Sequence, residues 1–154
     1  MSTTAAGISA TTISAAKLAP LGFELAVPTP DGGENVYIYV FNDSGAPLVV
    51  GQMQTRKAAT ATYHVAQAGA INPAQAVGLC TTVIPNNNYG FLLRKGHGTA
   101  NVGGAVTADK GLILAAGGLV THEAAVTGSA CGNTLAGKAG GGAGTLTAFV
   151  NCQG

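Results

Sequence analysis

The stretch that decides the fold is Val36-Tyr37-Ile38-Tyr39-Val40-Phe41. Every residue in it is β-branched or aromatic, the side chains that suit a pleated, half-buried backbone. Asn42-Asp43-Ser44-Gly45 follows and carries turn chemistry. Pro28, Pro30 and Asp31-Gly32-Gly33 precede it and mark a loop or turn. A strand bounded by turns is therefore predicted here. Beyond it, Pro47 to Met53 reads as the returning strand of a hairpin, with Pro47 at its start, where no ladder N–H is needed.

The same rhythm continues along the chain. Thr60 to Ala66 alternates like a strand, and Asn72 to Ala76 suits a short helical turn. Leu79 to Ile84 reads as a strand closed by Pro85 and Asn86-Asn87-Asn88, and Tyr89 to Lys95 reads as the next. From Gly96 onward, short apolar runs alternate with glycine: Ala100 to Val102, Gly111 to Ala115, Leu119-Val120, Ala125-Val126 and Thr145 to Val150. Ala136 to Gly144 reads as a glycine-rich loop. Turn signals at roughly 8–12-residue spacing, without a sustained helical period, predict an all-β fold. The expected architecture is a compact sandwich or barrel, jelly-roll-like, of short strands. No exact internal repeat is present in the sequence.

The chain has 154 residues, the size of one domain, and can bury a core without metals or disulfides. Only 8% of residues are charged, against about 25% in a typical domain. A surface so poor in charge is easier to explain when partners cover much of it. Arg56-Lys57 and Arg94-Lys95 are the adjacent basic pairs, and they form no stripe of the kind nucleic acid requires. Gly and Ala together supply 52 residues, and tryptophan is absent. A small-molecule pocket usually recruits more aromatic and charged groups than this.

Residues 1–22 are rich in Ser, Thr, Ala and Gly and cannot fold alone. Two readings compete, a solvated tail and an extended arm lying across a neighbouring subunit. Ile8, Ile13, Leu18 and Leu21 favour the arm as its interface anchors, and residues 23–154 form a single β-domain. The N-terminus lacks the charged and apolar regions of a signal peptide, and no apolar run reaches the ~20 residues of a membrane span. Synthesis in the cytoplasm and no membrane partner are expected.

The candidate chemistry is sparse. The carboxylates Asp31, Glu34 and Asp43 sit in or beside turns, where surface duty is the default. His64, His97 and His122 lie far apart, with no two at ligand spacing on one element. A three-histidine site would have to be assembled by folding or on a threefold axis. Cys80, Cys131 and Cys152 form no CxxC pair, and their odd number leaves at least one thiol unpaired. Buried, reduced thiols are expected, with a Cys131–Cys152 bridge as the alternative. Gly137 to Thr145 lacks the order of a phosphate loop, and the GxSxG frame is absent around Ser129. Tyr89, Phe91, Arg94 and Lys95 come nearest to a base-stacking platform, but strand alternation reads them as a core face with a rim charge. No catalytic, metal-binding or cofactor-binding residue is assigned, and no enzyme activity is expected.

The second half carries a further pattern. Asn86-Asn87-Asn88-Tyr89-Gly90-Phe91 leads to Gly103-Gly104-Ala105-Val106 and then Ala108-Asp109-Lys110-Gly111-Leu112-Ile113-Leu114. Gly118-Leu119-Val120, Gly137-Lys138-Ala139 and Gly144-Thr145-Leu146-Thr147-Ala148-Phe149-Val150 follow. Over roughly residues 86–150 this resembles the small β-rich capsid decoration, or cement, proteins of tailed bacteriophages. In this chain the aspartate of the central turn precedes its glycine, where those proteins have it after. The resemblance implies a non-enzymatic homotrimer on the outer capsid surface of the virion, bridging major capsid protein subunits. The alternatives are another virion subunit, such as a tail or fibre-base protein, and a small surface- or carbohydrate-binding β-module.

Overall fold

The structure is a computed structural model and describes residues 7–57, 63–67, 76–103, 111–114, 119–122, 130–136 and 143–152. All regular secondary structure among these residues is β, as the sequence predicted. The strands are β1 (Glu24–Pro28), β2 (Glu34–Asn42), β3 (Met53–Arg56), β4 (His64–Gln67) and β5 (Ala76–Cys80). They continue as β6 (Tyr89–Val102), β7 (Gly111–Leu114), β8 (Val120–His122), β9 (Ala130–Ala136) and β10 (Gly144–Asn151).

The strand order is β1-β2-β4-β3-β5-β6-β10-β9-β7-β8, and two further pairings, β2–β6 and β6–β8, close it into circuits. The first circuit runs β2-β4-β3-β5-β6 and returns to β2. The second runs β6-β10-β9-β7-β8 and returns to β6. Circular closure leaves fewer unpaired edges than an open sheet would present, with β1 added on β2 outside both circuits. β6 belongs to both circuits because it is 14 residues long, about 46 Å at roughly 3.3 Å per residue. Its first half pairs with β2, from Tyr89 opposite Phe41 to Lys95 opposite Val36. Its second half pairs with β10, from Lys95 opposite Asn151 to Val102 opposite Gly144.

The division falls at Gly96. This residue has φ of 124°, and a Cβ there would lie 2.0 Å from Asn35 Oδ1. Only glycine accommodates both demands. Asn35 holds the turn-over point by accepting from His97 N–H (3.0 Å) through its Oδ1.

Alternation within β2 sorts its side chains onto two faces. Ile38 and Val40 face a core shared with Leu48, Val65, Val77, Cys80, Ile84 and Leu92. Tyr39, on the opposite face, packs with Leu25 and Phe91 under the N-terminal segment. A third cluster joins Met53, Leu79 and Leu93 to Ala100, Val102, Leu146, Ala148 and Val150, and so binds the two circuits together.

Several strand boundaries differ from the sequence reading. β1 occupies Glu24–Pro28, where only a turn signal was read, and Pro28 tolerates the last position opposite Glu34. Pro47 to Gly51 is not a strand, and β3 starts only at Met53. β5 ends at Cys80, so Thr81 to Pro85 is loop. Tyr89 to Lys95 and Ala100 to Val102, read as two runs, are one strand. Residues 72–75, 125–126 and 137–142, read as a helical turn, an apolar run and a loop, lie outside the described residues.

Candidate interaction surface

The N-terminal segment is built from short local bonds. Ser9 N–H donates to Thr12 Oγ1 (2.8 Å), and Thr12 N–H to Ser9 O (2.9 Å), which closes one turn. Ser14 then pairs with Tyr89 in an antiparallel bridge: Ser14 N–H donates to Tyr89 O (3.1 Å) and Tyr89 N–H to Ser14 O (2.8 Å). Leu18 N–H donates to the Tyr39 hydroxyl oxygen (3.1 Å). Gly22 N–H donates to Tyr39 O (2.9 Å), and Tyr39 N–H to Phe23 O (2.8 Å).

These bonds lay residues 7–22 over the outer face of β2 and β6. The face beneath is aromatic. Tyr39 stacks on Tyr89 at 5.9 Å and meets Phe91 at 5.0 Å, and Phe41 meets Tyr89 at 4.7 Å. Such ring pairs are favourable beyond the area they bury.

The four anchor residues read from the sequence separate into two pairs. Ile8 and Leu21 pack against the cluster of Leu25, Tyr39 and Phe91 of their own chain. Ile13 and Leu18 point outward, 37% and 47% exposed. The backbone around the exposed pair is fixed by the Ser14 bridge and the Leu18 bond, so both side chains are displayed on an ordered support.

A second exposed group was missed by the sequence reading. Val49, Val50 and Val83 are each between 43% and 49% exposed. They lie on the loop after β2 and the loop after β5. Leu48 N–H donates to Ile84 O (2.9 Å) and Gly51 N–H to Cys80 O (2.8 Å), which ties the loops side by side. The available signal was punctuation: Pro47, Gly51 and Pro85 bracket these valines and break the strands read through them.

The ionisable groups form small surface clusters. Lys57 Nζ meets Asp43 Oδ2 at 2.9 Å, with His64 Nδ1 3.6 Å from the same oxygen. The Lys57 ammonium holds the Asp43 carboxyl below its usual range. Arg94 pairs with Glu24 and donates from Nε to Cys152 O (3.1 Å), beside a shallow depression of about 360 Å³ lined also by Val36, Lys95 and Asn151. His97 stacks edge-on against Phe149 at 5.3 Å. Cys80 and Cys152 are both buried, and burial pushes the Cys80 thiol up to about 11. Among the described residues, no three His, Cys, Asp or Glu side chains come together as a metal site would need.

What the arrangement offers chemically is apolar contact from fixed backbone, with the exposed Lys17 beside Leu18. A scan against protein-family models finds no match, and a search of curated proteins finds none either.

Proposed function

We propose that this chain is a non-enzymatic virion structural protein that decorates an icosahedral phage head and stabilises it by bridging major capsid protein subunits. The observation that carries the reading is the display of Ile13 and Leu18 on a backbone tied to the sheet, in a chain with 8% charged residues. Leu and Ile held exposed and ordered cost solubility, and a partner that covers them recovers that cost. Val49, Val50 and Val83 extend the same argument to a second surface. The resemblance of residues 86–150 to decoration proteins supplies the kind of partner.

Decoration works by mass action. A surface that binds only the assembled shell shifts the equilibrium towards assembly. Several weak contacts per oligomer add through avidity, so no single contact need be strong. Assembly as a homotrimer on the outer capsid surface belongs to the same proposal.

The test is stoichiometry in purified particles, read from a stained gel against the major capsid protein. Hundreds of copies per particle are expected. A few tens or fewer would favour a tail or fibre-base subunit, and absence from particles would end the virion reading.

A further inference from the structure

The two strand circuits share a wiring plan. In the first, β2 pairs with β4 in parallel, β4 with β3, β3 with β5, β5 with β6 and β6 with β2, all antiparallel after the first. In the second, β6 pairs with β8 in parallel, β8 with β7, β7 with β9, β9 with β10 and β10 with β6, again all antiparallel after the first. Each pairing of the first circuit therefore has a counterpart of the same sense in the second.

The senses are not trivial. Successive strands usually alternate in direction when they form hairpins. Here the third and fourth strands of each circuit, β4 and β5 or β8 and β9, run the same way, because β3 is antiparallel to both of the first two and β7 to both of the second. The irregular step occurs at the same place in both.

The registers also correspond. Asn42 opposite Val65 matches Val102 opposite Val120. Arg56 opposite Val65 matches Leu114 opposite Val120. Met53 opposite Leu79 matches Gly111 opposite Leu135, and Leu79 opposite Leu93 matches Leu135 opposite Phe149. Tyr37 opposite Leu93 matches His97 opposite Phe149. Matched residues are separated by about 55–60 positions throughout. A register shift also falls at the matched place, between Gln54 and Thr55 in β3 and between Gly111 and Ile113 in β7, although its size differs: Thr55 lies opposite Ala76, and Ile113 lies opposite Ala130.

We infer that the chain is two copies of one five-stranded unit of about 60 residues, fused so that β6 is the last strand of the first copy and the first strand of the second. Val65 and Val120, and Leu79 and Leu135, are identical among the matched pairs named above, whereas Tyr37 corresponds to His97 and Arg56 to Leu114. The repeat is thus carried by strand pairing and is hidden from residue-by-residue comparison. The doubling explains why β6 is so long and why it must turn over at Gly96, the point where one copy ends and the next begins.

The test is backbone proton contacts measured by nuclear magnetic resonance on the isotopically labelled full chain. Cross-strand contacts are expected at Asn42–Val65, Arg56–Val65 and Met53–Leu79, and at their counterparts Val102–Val120, Leu114–Val120 and Gly111–Leu135. Finding β7 or β8 paired with any other strand, or β8 antiparallel to β6, would overturn the inference. A crystal structure of the full chain gives a second reading: the matched strands should superpose to roughly 2 Å, under half the roughly 4.7–4.9 Å spacing of neighbouring strands. A best superposition that matches other strands would count against the duplication.

Discussion

Asn42 closes one end of the first core through four bonds. Its side-chain amide donates to Ala46 O (2.8 Å) and Ile84 O (2.9 Å), and its Oδ1 accepts from Ser44 N–H (3.1 Å) and Ser44 Oγ (2.7 Å). The residue is fully buried, so removal strands polar groups away from water. Asn42→Ala should lower stability by about 2–4 kcal/mol, measured by denaturant unfolding. A loss under ~0.5 kcal/mol would mean that water replaces the side chain freely. Cys80 gives a prediction in pH. Burial raises its thiol from 9.0 to about 11, so the folded chain keeps a proton that the unfolded chain releases. Stability is therefore full below pH 9 and falls as pH climbs towards 11, by roughly 2–3 kcal/mol from this group. Comparing the native chain with Cys80→Ala at pH 8 and pH 10.5 isolates the effect, and an equal fall in both would refute it. Neither residue's role was readable beforehand. Asn42 was read as turn chemistry, which its Ser44 bonds show, but its bond to Ile84 depends on a contact 42 positions away.

Strands with dense β-branched and aromatic content were legible, and strands held by context were not. β2 could be read from Val36 to Phe41 because every residue favours a pleat. β10 was legible for the same reason, with Leu146, Ala148 and Val150 buried on one face. β6 was cut short because Gly96 and Gly98 look like punctuation. In the fold, the space above Gly98 is filled by Leu79 and Leu93, whose methyl groups would lie 2.7 Å from a Cβ. Those glycines mark close packing of a continuous strand. The opposite error occurred at Val49, Val50 and Val83, where apolar residues suggested strands but sit exposed in loops. For the N-terminal segment, local pattern could pick out four apolar residues but not which way each points. Deleting the whole segment would also remove the packing of Ile8 and Leu21, so point substitutions at the exposed pair test binding more cleanly. Replacing Ile13 and Leu18 together by serine should leave unfolding within about 0.5 kcal/mol of the native chain. Particle occupancy should fall at least tenfold under conditions near half-saturation. Unchanged occupancy would remove the segment from the proposed interface. Tyr39→Phe makes a separate prediction, because it deletes the hydroxyl that accepts from Leu18 N–H. Limited proteolysis should cut the segment faster in that variant, while the strands stay protected.

The whole molecule is joined at β6, whose two halves complete both circuits. The cluster from Met53 to Val150 packs the circuits against each other as well. Damage at the joint should therefore be felt by both. Gly96→Ala places a Cβ against Asn35 in a backbone conformation that L-residues rarely adopt, and should cost at least about 2 kcal/mol. Native-state hydrogen exchange should show amides of β5 and β10 losing protection together, and loss confined to one circuit would contradict the coupling. At this scale the sequence showed fold class through turn rhythm and small-residue content, but not strand order. Order depends on pairings such as β2 with β6, some fifty residues apart, which no local pattern encodes. The proposed function belongs to this scale too: a chain poor in charge, with apolar side chains held out on an ordered backbone, would work by covering other protein subunits. The most direct measurement is electron cryo-microscopy of the particles that carry it. Repeated density for this β-domain is expected across the outer face of the shell, with Ile13 and Leu18 against major capsid subunits. Density confined to the tail or a single vertex, or a shell with none, would contradict it.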